Sequence, residues 1–323
     1  MEPIGLELAG TPSVPAMMRL AALAERLGYD SIWLTETRFT RDAVTTAAAV
    51  AAATERVRIG TAVVNPYTRG AALTAVTVAT LDELAGGRLV AGIGPGSPLI
   101  LAQQGYAFDR PLRRLEEMVA VIRAILAGGP VDFLGETVEI RGLALDFAPV
   151  RASVPIHLGV TGPKALALAG RIADGVILNG FVSEDYTRRA VGIIRESATA
   201  AGRDSNDVEM AGSVVVSVDP DERRAFDAVR AFVATYLTRF PNIARESGLP
   251  DSLLDAIRAA YDRDRDEAAA LVSNEIVDAL VCVGAPARVR DRIAARRRAG
   301  VALPVVGPVA ADLAWAVEAL RPG

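Results

Sequence analysis

Three residue types that carry much of enzyme chemistry are nearly missing from this 323-residue chain, which has one histidine, His157, one cysteine, Cys282, and one lysine, Lys164. A single cysteine excludes an internal disulfide, and with one histidine it leaves no nitrogen and sulfur ligand set for zinc. A lone histidine without a G-x-S-x-G context also excludes a hydrolytic triad. No apolar run reaches the roughly 18–20 residues that span a bilayer, and the opening MEPIGLELAG has neither the charged n-region nor the long apolar h-region of a secretory signal. The expectation is a cytoplasmic, metal-independent protein with no membrane partner. Positive charge is also not in excess: 35 basic and 39 acidic residues give a net charge of −4. Nucleic-acid binding needs a clustered positive surplus. The densest basic run, ARRRAG at 295–300, reads as the end of a helix, where arginines complement the dipole.

What the chain does have is hydrophobic content, at 51%, enough to bury a large core. Short apolar runs alternate with helical patterns from end to end, the rhythm of βα units around a parallel sheet. The strand-like runs fall at 4–8, 31–34, 57–64, 88–94, 155–160, 175–179, 210–218 and 303–309. Eight units in a chain longer than the ~250 residues typical of the fold predict a (β/α)8 TIM barrel with insertions, as a single domain over 1–323. The alternative is a doubly wound open sheet. Against it, no G-x-G-x-x-G follows the first strand, and GIGPGS at 92–97 has the wrong spacing and follows the fourth. Residues 128–154 read as a small hairpin or excursion, and 219–278 as a mostly helical insertion able to cover an active site. The second and third helices, DAVTTAAAVAAAT and AALTAVTVATLDEL, are small or apolar nearly all round. A helix on the outside of a monomeric barrel should not be, which predicts a homodimer packed through them.

Barrel chemistry is expected at the C-terminal strand ends. There VTGPK ends the fifth strand: Thr161 and Gly162 turn, Pro163 opens a helix and Lys164 follows with its backbone N–H near the helix start. Free N–H groups, the dipole and a cation suit an anion, although an ordinary turn with an exposed lysine fits equally. Asn65, before Pro66, suits either a ligand contact or an Asx-turn. Gly94, Gly96 and Ser97 form a stretch with little side chain that lets a planar ligand approach, or a simple loop. Glu36, Thr37 and Arg41 close the second strand on the same rim. Glu7, flanked on its face by Gly5 and Ala9, would be poorly solvated there, so it is either a proton donor with a raised pKa or one half of a structural ion pair. His157 reads as a core residue.

The stretches GTAVVNPYTR, ATLDELAGGRLVAGIGPG, VPIHLGVTGPKALALAGRIADGVILN and EIVDALVCVGAPARVRDRIAARRRAG resemble the bacterial luciferase-like superfamily over about residues 3–315. Within it the chain is similar to the methylenetetrahydromethanopterin reductase branch. That resemblance implies a (β/α)8 barrel binding coenzyme F420 or flavin mononucleotide (FMN), usually as a homodimer. It places a non-prolyl cis peptide behind the cofactor ring at Ala62–Val63 and gives Glu36 and Asn65 cofactor contacts. It also makes the Thr161–Lys164 turn the phosphate site and Glu7 the proton donor. Two departures weigh on the substrate. Relatives commonly read Asp-His where Glu36-Thr37 stand, which weighs against a histidine-based alcohol chemistry; the reductases carry an acidic residue where Ser97 stands, which weighs against the pterin. The implied activity is F420-dependent hydride transfer between the deazaflavin C5 and a C=C, C=N or C=O of a small organic substrate. The alternative is an FMN-dependent luciferase-like monooxygenase.

Overall fold

The structure, a computed structural model, describes residues 2–36 and 39–323. Its strands run β1 (Gly5–Leu8), β2 (Ser31–Leu34), β3 (Arg58–Thr61), β4 (Leu89–Ile93), β5 (Val131–Leu134), β6 (Glu139–Leu143), β7 (Ile156–Leu158), β8 (Gly175–Leu178), β9 (Glu209–Val218), β10 (Cys282–Gly284) and β11 (Leu303–Pro308). Eight of them form a closed parallel barrel in the order β1-β2-β3-β4-β7-β8-β9-β11. Gly5 opposite Val305 joins β1 to β11, and Val176 opposite Met210 closes the ring between β8 and β9. These eight coincide with the eight runs read from the sequence, so the barrel replaces the open-sheet alternative. β10 was not foreseen. Its three residues are too few for a periodic signal, and it pairs with the far end of β9, outside the ring.

Parallel neighbours need long crossovers, and helices supply them. They are α1 (Val14–Arg26), α2 (Ala43–Ala52), α3 (Ala71–Leu84), α4 (Pro98–Ala102), α5 (Pro111–Leu126), α6 (Pro163–Ile172) and α7 (Glu184–Ala200), then α8 (Glu222–Arg239), α9 (Pro241–Glu246), α10 (Asp251–Arg263), α11 (Arg265–Ala270), α12 (Asn274–Leu280), α13 (Pro286–Arg298) and α14 (Leu313–Ala319). Asp42, Ser183 and Asp221 cap α2, α7 and α8 by accepting backbone N–H groups that the helices leave unpaired. No helix among the described residues is long and apolar enough to cross a membrane.

β2, β4 and β8 are buried along their whole length because one face meets the barrel interior and the other the helix layer. Inside, Trp33 and His157 pack with ring centres 5.5 Å apart. Gly60 and Gly175 make that possible, since a Cβ at either would run into the Trp33 or His157 ring. At the barrel's base Arg58, first residue of β3, reaches Asp30 at 2.7 Å and Glu209, first residue of β9, at 2.9 Å. His157 Nε2 stands 3.2 Å from the second Glu209 oxygen. The histidine is therefore a core residue far from the rim, as the sequence suggests.

Two additions depart from the plain barrel. The antiparallel β5–β6 hairpin is held by Glu117 of α5, whose buried carboxylate accepts the N–H groups of Glu136, Thr137 and Val138 at 2.7–3.1 Å. Helices α8–α12 form the helical insertion, with a small apolar core of their own around Val229, Val233, Leu237, Leu254 and Ile257. Phe181 and Val215 tie that core to the barrel rim.

Burial opposes ionisation of Glu209, but the bond from His157 and the Arg58 guanidinium outweigh it and hold the carboxyl at about 2, below its ordinary 4.5. A value depressed in the folded state stabilises the protein above pH 4.5, and the contribution is lost as pH falls from there towards 2. Glu209→Gln is expected to lower stability at neutral pH by on the order of 2–3 kcal/mol and to flatten the acid limb of the melting-temperature profile. Calorimetry across that pH range checks both.

Candidate active site

A cavity of about 240 Å³ opens where the strands end. Its walls come from nearly every part of the ring: Glu7 on β1, Thr35 after β2, Ala62 and Val63 after β3, Gly159–Thr161 after β7, Asn179–Phe181 after β8, Ser213 on β9 and Gly307 on β11. Phe232 and Tyr236 of α8 close it from the insertion.

The third-strand wall has a specific cause. β3 stops at Thr61; Ala62 N–H donates to Leu34 O at 2.8 Å and Val64 N–H to Gly92 O at 3.0 Å. Between these two anchors the Ala62–Val63 peptide is cis. Val63 then packs against Gly94 and Gly159, and a Cβ on Gly159 would lie 2.8 Å from its Cγ1. Gly94 thus serves by making room for Val63, and it does not line the cavity. Gly96 and Ser97 do not line it either: Gly96 turns the chain with φ +78° and Ser97 precedes α4.

Glu7 faces the cavity from the barrel interior. Burial pushes its carboxyl above the ordinary 4.5, and a 2.7 Å hydrogen bond from Ser213 Oγ to Oε2 offsets only part of that. No cation pairs with it among the described residues. Of the two readings open in the sequence, the ion pair is absent among the described residues, and the surroundings of Glu7 favour its neutral form.

After β8, the neighbour of the strand that carries Ser213, Asn179 Oδ1 accepts the Phe181 N–H at 2.9 Å, which turns its amide nitrogen to Tyr236 Oη at 2.5 Å. Phe181 stacks on Tyr236 with ring centres 3.9 Å apart. The insertion therefore contributes aromatic side chains to the cavity that Ala62 and Val63 also line.

The second-strand residues lie elsewhere. Glu36, Arg41 and Asn65 line a second cavity of about 350 Å³, whereas Thr35 and Val63 line the first. Glu36 is paired with Arg69 at 2.9 Å and accepts the Ala43 N–H at 3.2 Å, so its charge is engaged within the protein. Arg41 donates to the carbonyls of Gly10 and Thr11. Asn65 forms an Asx-turn, accepting Tyr67 and Thr68 N–H groups at 3.1 Å. Thr37 lies outside the described residues.

At the fifth-strand turn, Thr161 lines the main cavity, Gly162 precedes α6 without a capping side chain and Pro163 occupies its first turn. Tyr186 Oη donates to Thr161 O at 2.6 Å and holds the turn. Lys164 is exposed and has no ion-pair partner among the described residues.

Ser213, Thr35, Asn179, Phe181, Phe232, Tyr236 and Gly307 were not singled out from the sequence. Asn179 had a usable signal, since it ends GVILN as Asn65 ends GTAVVN. Ser213 had a weaker one, a hydroxyl in the middle of an apolar strand. Phe232 and Tyr236 had none, because their helix reaches the site only through the fold.

The fold and site define a member of the luciferase-like monooxygenase family, whose model matches residues 4–303. The chain belongs to that family. It is 33% identical over 292 residues to a 5,10-methylenetetrahydromethanopterin reductase of Methanolobus tindarius, covering 90% of this chain and 89% of the relative. It is 31% identical to a putative coenzyme F420-dependent oxidoreductase of Mycobacterium tuberculosis, over 94% of each chain. Among solved structures, the coenzyme F420-dependent tetrahydromethanopterin reductase from Methanopyrus kandleri superposes with a TM-score of 0.91 at 28% identity, covering 99% of this chain and 97% of that one.

Proposed function

We propose that the protein is an F420-dependent oxidoreductase acting on a small organic substrate. The observation that carries this reading is the half-buried Glu7 carboxyl, hydrogen-bonded to Ser213 and facing a cavity walled on one side by Ala62 and Val63. The relatives named as F420-dependent, aligned over nearly their whole length, support the cofactor.

The residues present fit that group. Thr35 Oγ1 is buried at the cavity wall with no hydrogen-bond partner among the described residues, an orphan that a ligand would satisfy. The Ala62–Val63 wall and Gly159 would hold the ring, and the Thr161–Lys164 turn the phosphate, through the α6 N-terminus and the Lys164 charge. When bound, F420 supplies a hydride equivalent at C5. The protein's part is orientation, exclusion of water and movement of one proton at Glu7.

Because burial raises the Glu7 pKa, the acid form persists to higher pH than it does for an ordinary carboxyl. Substrate reduction needs that form and is expected to slow as pH rises through the raised value; oxidation, which needs the carboxylate, slows as pH falls through it. Glu7→Gln is expected to lower kcat about 10²- to 10⁴-fold while F420 affinity stays within a few-fold. Titration with F420, followed by fluorescence, tests the cofactor itself, and Lys164→Ala is expected to weaken it about tenfold. Tight FMN binding with oxygen uptake, and no F420 binding, would replace this reading with the monooxygenase.

The outer faces of α2 and α3 carry Ala48, Ala49 and Ala52 beside exposed Leu73, Val76 and Leu84. We propose that a second copy covers them, in a cytoplasmic homodimer whose single buried cysteine needs no oxidising compartment. Sedimentation equilibrium at micromolar concentration is expected to give a dimer, and Leu73→Glu with Val76→Glu a monomer.

A further inference from the structure

We propose that Ser213 and Gly307 are positioning residues for Glu7, committing its Oε2 to the serine hydroxyl and leaving Oε1 as the oxygen that exchanges a proton with substrate. The inference rests on the reading of Glu7 as proton donor given above.

Glu7 and Ser213 sit on strands that are not neighbours: β11 lies between β1 and β9. The register puts Gly5, Val305 and Ser213 level, with Gly307 two residues further along β11. Glu7 must therefore lean across β11 to reach Ser213, and it crosses at Gly307. A Cβ there would stand 3.3 Å from Oε1 and 3.6 Å from Cδ, so any side chain would press on the carboxyl. Gly180 clears the other partner in the same way, since a Cβ on it would lie 2.8 Å from Ser213 Oγ.

In the carboxylate form Ser213 Oγ is the donor and Oε2 the acceptor of the 2.7 Å contact. While Ser213 keeps donating to Oε2, a proton that arrives on Glu7 goes to Oε1. In the reductive direction the Oε1–H bond breaks, the proton goes to the substrate atom that has gained negative charge, and the electron pair stays on the carboxylate. That carboxylate is already steadied through Oε2. Around the pair stand Trp33 of β2 and Thr35 after it, Val215 of β9, Val305 of β11 and Val309 after it, and Phe232 and Tyr236 of α8; Tyr236 is the other titratable side chain lining the cavity among the described residues. Among the described residues no charged neighbour competes with Ser213 there.

The test reads Glu7 directly in the protein without cofactor. Infrared difference spectra across a pH titration show the protonated carboxyl stretch, assigned by its loss in Glu7→Gln. Ser213→Ala removes a bond that favours the charged form, so the Glu7 midpoint is expected to rise by roughly one pH unit, with the pH limb of kcat for reduction moving in step. Ser213→Thr is expected to restore both. A midpoint that stays put in Ser213→Ala, with melting temperature intact, overturns the proposal, as does a Ser213→Thr variant that folds and restores neither. Because the spectra need no F420, failure of the cofactor titration would overturn the cofactor reading and leave this result standing.

Discussion

Ring closure is the constraint from which the rest follows. An open parallel sheet leaves unpaired N–H and C=O groups at two edges, whereas pairing β8 with β9 and β11 with β1 leaves none in the ring. Closure also forces eight strand ends onto one rim, so residues 300 positions apart in the chain, Glu7 and Gly307, become neighbours. It sets the interior as well. A ring of eight has room for side chains in layers, and here the layers are filled by a few large groups set against glycine.

That size complementarity links the base to the rim. At the base, Gly60 and Gly175 admit Trp33 and His157, and the histidine joins Glu209 and Arg58 in a charged plug. At the rim the same device holds Val63 between Gly94 and Gly159, and Glu7 over Gly307. The two ends treat their carboxylates in opposite ways. Glu209 meets the Arg58 guanidinium and stays ionised; Glu7 meets a hydroxyl and apolar walls and keeps its proton longer.

Much of this was legible in the sequence. The eight strands could be read because each is a continuous apolar run between helical patterns, and the helical insertion because its periodicity broke the repeat. Glu7 stood out as a charge in the middle of an apolar strand, and Lys164 as the sole lysine beside a Gly-Pro turn. Glu36 and Asn65 were equally conspicuous, yet the fold engages them locally, with Arg69 and the Tyr67 and Thr68 amides. Gly94 was noticed for the right property, absence of a side chain, but the space it leaves is taken by Val63. Ser213, Tyr236 and Phe232 stayed hidden because their significance lies in pairings between distant strands and helices, which no local pattern encodes.

The short β10 gives the helical insertion an unusual attachment. It pairs with Val216–Val218 of the strand from which the insertion departs, and the Asp219 N–H donates to Gly284 O at 3.2 Å. The excursion thus leaves and re-enters through one stitched seam, like a pocket sewn onto a sleeve. Lengthening or shortening a loop closed in this way changes its closure entropy little, about 0.6 kcal/mol per doubling. The segment carrying Phe232 and Tyr236 thus has its two ends pinned together and an apolar core of its own, so one wall of the cavity can differ in length with little change to the eight-stranded ring.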